Sequence, residues 1–240
     1  MDGRHELKFN INSGDCALLR TRLRAVAQPD KNAAGDGGYF VRSLYFDNYA
    51  YKVVMEKLSG MSRREKFRLR YYNGDTSFIR LEKKSKANRL SYKESAPVTA
   101  EQCAAILAGK YDCLKAPAGQ PAKGEYDMPG VSETPDADLL MELYTKILYQ
   151  NLRPKNIVDY RREAYVYRAG NVRVTYDSNI RTSNSITGFL DPVLPTIPAA
   201  SSMILEIKYD GFLPDVIRDI MQIGWRSQTE FSKYVAARLV

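Results

Sequence analysis

Arg64-Glu65-Lys66-Phe67-Arg68-Leu69-Arg70-Tyr71-Tyr72 carries a cation at every second position, with Phe67, Leu69 and Tyr71 in between. A period of two marks an extended strand, because successive side chains leave it on opposite faces. Arg64, Lys66, Arg68 and Arg70 therefore share one face of a strand over residues 62–72. The pattern repeats outward. Arg80, Glu82, Lys84 and Lys86 share a face of residues 77–86, and Arg89 and Lys93 lie on residues 89–96. Asn73-Gly74-Asp75 between the first two strands is a tight-hairpin signal. Upstream, Arg4, Glu6, Lys8 and Asn10 oppose His5, Leu7, Phe9 and Ile11 along residues 4–11, and residues 39–46 form another strand. Downstream, strands over 155–168, 172–177 and 202–209 bring Arg162, Arg173, Glu206 and Lys208.

Helical signals lie between these strands. Ser13 is the expected N-cap of a helix reaching about Ala27, a short helix is expected over 48–58, and Thr99 with Gln102 forms a capping box for one ending near Gly109. Thr134-Pro135 opens a helix whose stripe of Leu139, Leu140, Leu143 and Ile147 runs to about Leu152. Two more are expected over 214–223 and 229–239, whereas residues 116–130, rich in Pro, Gly and Ala, read as a surface loop. About eight strands with short connections predict an α+β fold. The expected form is one domain over 1–240, an antiparallel eight-stranded β-barrel with peripheral helices.

One charged strand face is ordinary in an antiparallel sheet with one side in water. Many in succession, beside amphipathic helices that need an apolar sheet face, predict that the helices cover the outside and the charges point inward. Eight strands enclose just enough room for side chains or a narrow ligand. Dry burial of so many unpaired cations would cost several kcal/mol for each. The interior is therefore expected to be wet and to bind anions. A phosphate chain is thin, charged along its length and matched to the forked donors of Arg. Among these bases, Glu82 is expected to pair with its neighbours. Glu206, with Glu6 as a second carboxylate, is expected to hold a divalent cation, Mg²⁺ or Mn²⁺.

Composition narrows the partners. Among 240 residues, 36 Lys and Arg against 28 Asp and Glu leave +8, which favours a polyanion, and 44% hydrophobic residues suffice for a core. Cys16, Cys103 and Cys113 are odd in number and lack CxxC spacing. Neither a disulfide framework nor a zinc ribbon is suggested, and a reducing cytoplasm is expected. No apolar stretch approaches the ~18 residues of a membrane span, so a soluble chain is expected. The single histidine, His5, removes most histidine-dependent chemistry, and its alternation with Leu7 and Phe9 gives it a structural role. The GxxxxGK[ST] loop, an RNP-like aromatic motif and a basic helix are all missing, so neither a P-loop nor a nucleic-acid partner is expected.

Several stretches, in this order, carry a resemblance: RHELKF at 4–9, YFVRSLYFDN at 39–48, REKFRLRYY at 64–72, LEKK at 81–84, YRREAY at 160–165, VRVTYD at 172–177, LEIKY at 205–209 and FSKY at 231–234. Over nearly its whole length the sequence resembles the catalytic domain of vacuolar transporter chaperone (VTC) polyphosphate polymerases, within the triphosphate tunnel metalloenzyme superfamily. The resemblance implies transfer of the terminal phosphoryl group of ATP to inorganic polyphosphate with Mn²⁺ or Mg²⁺. It implies phosphate-binding bases at Lys8, Arg68, Arg70, Lys84, Lys93, Arg162 and Arg173, with Tyr160 beside them, and a metal-binding carboxylate at Glu206. Ser232 and Lys233 match the family's Ser-Lys pair, and Arg42 is a further candidate from its motif. Arg64, Lys66 and Lys208 join the phosphate-binding set from the strand faces. Arg4 stands where the superfamily's Glu-x-Glu-x-Lys strand begins with a carboxylate. Hydrolysis of tripolyphosphate, with water as acceptor, and non-catalytic polyphosphate binding are the alternatives.

Overall fold

The computed structural model describes residues 3–32, 37–88, 90–115, 136–224 and 226–240. In chain order its elements are β1 (His5–Ile11), α1 (Ser13–Arg24), β2 (Gln28–Pro29), β3 (Gly38–Asp47), α2 (Lys52–Leu58), β4 (Arg63–Tyr72), β5 (Asp75–Ala87), β6 (Leu90–Val98), α3 (Ala100–Leu107), α4 (Asp136–Gln150), β7 (Arg153–Tyr167), β8 (Val172–Ser183), β9 (Ile197–Pro198), β10 (Met203–Tyr209), α5 (Asp215–Ile220) and α6 (Lys233–Arg238). The expected loop at 116–130, the Thr134-Pro135 helix start and Arg89 lie outside the described residues.

All ladders are antiparallel, and eight long strands follow the order β1-β10-β8-β7-β3-β4-β5-β6, with the two-residue β2 and β9 attached at β7 and β8. The fold is α+β, as expected, but the ring is not a fully laddered barrel. Its two edge strands meet through one bridge, Arg4 with Ser91, closed by two backbone hydrogen bonds of 3.1 Å.

Register decides which side chains share a side, because residues directly opposite in a ladder project to the same face. Lys84 lies opposite Lys66 and Lys93, Glu82 opposite Arg68 and Ser95, and Lys86 opposite Arg64. Lys8 faces Glu206, Lys208 faces Glu6 and Arg173, and Arg162 faces Tyr39 and Asp177. Every charged face of the sequence thus joins one continuous inner wall.

The opposite face is apolar and covered by helices. Leu44, Phe67, Leu69 and Leu81 pack under Ile106 of α3 and Leu140 and Leu143 of α4. Val174, Tyr176, Leu205 and Ile207 pack under Leu19 and Leu23 of α1 and Ile217 of α5. Two helices break the expected arrangement. Val54 of α2 and Tyr234 and Val235 of α6 pack with Val41, Val158, Tyr160 and Ile204, which belong to the inner face. Those strand residues are uncharged, so the inner wall divides into a basic part and an apolar part that α2 and α6 close.

Element ends differ from expectation for local reasons. Asn12, not Ser13, caps α1: its Oδ1 accepts from Asp15 N at 2.8 Å and Asp15 Oδ2 accepts from Asn12 N at 3.1 Å. The capping box of Thr99 and Gln102 is present on α3 as read. The last helix begins at Lys233 rather than Thr229, because Gln228 bridges Phe9 and Thr229 N donates to Lys8 O at 2.8 Å. Strand β8 runs on to Ser183, its second half pairing with Ile157–Asp159. Among the described residues, no helix is long and apolar enough to cross a membrane.

Candidate functional site

The inner wall encloses a cavity of about 1070 Å³, a volume that includes solvent at its mouth. Eleven Lys and Arg side chains line it against two carboxylates, Glu6 and Glu206. A second cavity of about 660 Å³ shares Glu6, Lys8, Lys66, Lys84, Ser91 and Ser232 with the first. The two adjoin along these shared residues, and the outer end of this passage is lined by Lys57, Arg64, Lys86 and the segment from Thr229 to Ser232.

Most of the bases are held by carboxylates standing behind them. Glu82 receives Arg68 at 2.6 Å, Arg70 at 3.3 Å and Lys93 at 2.5 Å. Burial raises the proton affinity of Glu82, but these three cations outweigh it and hold the carboxyl well below its ordinary range. Asp177 receives Arg162 at 2.6 Å and Lys233 at 2.5 Å. Its carboxyl, pushed up by burial and pulled down further by Arg162 and Lys233, lies near 2. Arg173 bonds Asp30 at 2.6 Å and the Tyr39 hydroxyl at 2.9 Å. Arg70 also donates to Ser43 Oγ at 2.9 Å and to the Tyr160 hydroxyl at 3.0 Å. The Tyr160 ring lies 4.8 Å from Lys233 Nζ and 5.3 Å from the Arg162 guanidinium, within cation–π range.

The forward groups are lysines and two glutamates. Lys8 Nζ sits 2.7 Å from Glu6 and 3.5 Å from Glu206, and Lys84 Nζ sits 2.5 Å from Glu6. Lys208 Nζ sits 3.0 Å from Glu206. Glu206 attracts a proton to Lys208, yet burial and the neighbouring Lys84 and Arg162 outweigh it and bring the ammonium down to about 8. Burial, reinforced by Lys84, Lys8 and Arg68, lowers Lys66 to about 7. Burial opposes ionisation of the Tyr45 phenol, but Arg68, Lys66 and Arg70 bring it down to about 7.

The structure brings Glu6, Lys8, Lys66, Arg68, Arg70, Lys84, Lys93, Tyr160, Arg162, Arg173, Glu206, Lys208, Ser232 and Lys233 to this cavity, with Arg64 at its outer end. Arg42 is the exception. It projects to the other face of β3, where Asp159 takes its Nε and Nη2 at 2.9 Å each and Tyr71, Phe189 and Asp191 take the rest. Arg42 is a structural cation, because Ser43 and Tyr45 on either side of Leu44 already occupy the inner face. Arg4 is likewise tied down, by Asp210 at 2.7 Å and the Asn171 carbonyl, at the rim. His5 stacks on Tyr209 at 5.1 Å and reaches the cavity edge, so it is not confined to the apolar face.

Tyr45, Asp177 and Asp30 escaped the sequence reading. Tyr45 lies in an aromatic strand with no charge alternation, and the two aspartates reveal themselves only through pairing across distant segments. Asp177 is legible in retrospect as the residue directly opposite Arg162.

No group of three or more His, Cys, Asp or Glu forms a metal cluster among the described residues. Two carboxylates still suit a hard divalent ion that takes its remaining ligands from phosphate oxygens and water. Glu6 Oε1 is buried, takes the Lys8 ammonium at 2.7 Å as its partner, and faces the cavity beside Glu206.

Among curated proteins, none matches the sequence. Solved structures resemble it distantly. PH1012 from Pyrococcus horikoshii OT3 is 14% identical over 91% of this chain and 85% of its own, with a TM-score of 0.42. A candidate adenylate cyclase from Bacillus halodurans is 11% identical over 86% of this chain and 81% of its own, with a TM-score of 0.45. The VTC domain profile matches residues 3–240. With an antiparallel ring of strands around a basic passage, the chain belongs to the VTC domain family.

Proposed function

We propose that the chain is a polyphosphate polymerase that moves the terminal phosphoryl group of ATP onto inorganic polyphosphate inside this passage. The observation that carries the reading is the wall itself, with eleven lining bases against two lining carboxylates around a narrow cavity. A terminal phosphate oxygen of the chain attacks the γ-phosphorus, the bond from that phosphorus to the β-bridging oxygen breaks, and ADP leaves with the electron pair. No covalent enzyme intermediate and no histidine is required; catalysis comes from positioning and charge.

Each residue has a part in that scheme. Arg68, Arg70, Arg162, Arg173 and Lys93, aimed by Glu82, Asp177 and Asp30, neutralise phosphate oxygens with donors already oriented, which is the condition under which such stabilisation is strongest. Lys8, Lys66, Lys84, Lys208 and Lys233 add charge along the passage, with Ser232 and Tyr160 as neutral donors. Glu206 and Glu6 are the residues that would hold Mn²⁺ or Mg²⁺, and the ion would supply further charge neutralisation on the transferring phosphoryl. The whole chain acts as one domain, and a reducing cytoplasm suits its three free cysteines.

Supplying ATP with Mn²⁺ and resolving the products by chain length tests the reading. Phosphate chains of growing length with stoichiometric ADP are the expected outcome. Free phosphate alone would make the protein a triphosphate hydrolase, and no turnover with intact binding would make it a polyphosphate binder.

A further inference from the structure

The outer end of the passage holds a feature that the phosphoryl-transfer scheme does not use. Glu230 is exposed, at 65%, yet three bases converge on it: Lys57 at 2.5 Å and Arg64 at 3.2 Å on one oxygen, and Lys86 at 3.3 Å on the other. Those three are 17%, 17% and 26% exposed and come from α2, β4 and β5. Glu230 belongs to the segment between the Gln228 bridge and α6, which has no ladder of its own. The hydrogen bond from Lys57, together with the charges of Lys57 and Lys86, pulls the Glu230 carboxyl to about 2. Three fixed cations thus surround one monovalent carboxylate, leaving about two positive charges uncompensated.

The position of the cluster gives it meaning. Arg64 and Lys86 are directly opposite each other, one inward-facing rung beyond Lys66 and Lys84. Inward residues along a strand are about 7 Å apart. The cluster is therefore the next step of the basic wall, reached by a phosphate chain that extends past the inner cavity. We infer that Lys57, Arg64 and Lys86 form a phosphate subsite at the passage mouth, filled by Glu230 in the free protein and taken over by a unit of a long phosphate chain. A chain unit brings charge comparable to the carboxylate's and more acceptor oxygens for the same donors, and its neighbouring units remain bound inside, so displacement is favoured by tethering. In this arrangement a triphosphate is held by the inner bases alone. This inference rests on the reading of the passage as a phosphate site.

The test compares metal-free affinities for tripolyphosphate and for long-chain polyphosphate in wild type, Glu230→Gln and the double variant Lys57→Met, Lys86→Met. Glu230→Gln is expected to tighten long-chain polyphosphate about tenfold, which is about 1.4 kcal/mol, and to leave tripolyphosphate within about twofold. The double variant is expected to lose about tenfold on the long chain alone. If the double variant does not fold, Glu230→Gln decides by itself. An unchanged or lower affinity of Glu230→Gln for the long chain, or an equal shift for both ligands, overturns the subsite. Failure of wild type to bind tripolyphosphate would overturn the tunnel reading itself, and this inference with it.

Discussion

Lys66 differs from the other bases of the wall. Its ammonium lies 5.6 Å from the Tyr45 ring centroid, and among the described residues it makes no ion pair. Burial and its basic neighbours bring it to about 7, and the Tyr45 phenol is also brought to about 7 by the surrounding cations. A bound phosphate would favour the charged ammonium and disfavour the phenolate, raising both values. Above about pH 7 these two groups of the free protein have lost protons that the complex regains, so binding takes up protons there and affinity falls as pH rises; below pH 7 both groups are protonated in either state and add no pH dependence. Calorimetry at pH 8 in buffers of different ionisation enthalpy is expected to show that uptake, reduced in Lys66→Met and in Tyr45→Phe. Uptake equal to wild type in both variants would mean that neither group meets the ligand.

Glu206 has two partners, Lys208 at 3.0 Å and Lys8 at 3.5 Å, so its possible roles predict different outcomes. Glu206→Gln keeps the shape and removes the charge. As a metal ligand its loss should cut Mn²⁺-dependent turnover by orders of magnitude while metal-free tripolyphosphate binding holds or tightens, because a negative charge has left a positive wall. As a mere partner of Lys208 its loss should lower the melting temperature and leave turnover near normal. Both readouts on one preparation separate the two. At this scale the bases were legible because strand periodicity exposes them, whereas Asp177 and Asp30, which aim them, were not: their partners arrive from other segments.

Elements show a similar division. The strands were readable from their alternation and the Thr99–Gln102 cap from its spacing, since both depend on residues close in sequence. The placement of α2 and α6 on the inner face was not, because it follows from an apolar sector assembled by β3, β7 and β10 together. The hydroxyl of Tyr234 on α6 donates to Asp47 Oδ2 at 2.8 Å, while Asp47 Oδ1 accepts from Asn48 N and Val53 N beside the start of α2. One buried carboxylate thus joins α6, β3 and α2. Tyr234→Phe removes a hydrogen bond to a charged group, which costs about 1.5–3 kcal/mol. A chain of this size loses roughly 2–4 °C of melting temperature per kcal/mol. A fall in that combined range is the expected result of a thermal melt, and an unchanged melt would show that Asp47 does not anchor α6.

Over the whole molecule the charge is unevenly divided. The inner cavity accounts for eleven of the 36 Lys and Arg and two of the 28 Asp and Glu, leaving 25 bases and 26 acids elsewhere. Four of those 26 acids, Glu82, Asp177, Asp30 and Asp210, stand behind the lining bases and pair with them, so the passage wall holds eleven bases against six acids, a net +5 of the +8. A basic composition on its own suits nucleic acid as well as polyphosphate, but the two ligands differ in width. A ring of eight strands admits a narrow chain, whereas a duplex, whose major groove alone is about 12 Å wide, is too broad to enter it. Tripolyphosphate and polyphosphate binding should therefore weaken steadily with added salt, as screening and counterion effects require. A double-stranded oligonucleotide at equal phosphate concentration should leave bound tripolyphosphate in place, while unlabelled polyphosphate displaces it. Displacement by duplex as effective as by polyphosphate would put the binding charge on the outer surface, and a salt-independent affinity would mean that the bases of the wall are neutralised by their own carboxylates rather than available to a ligand.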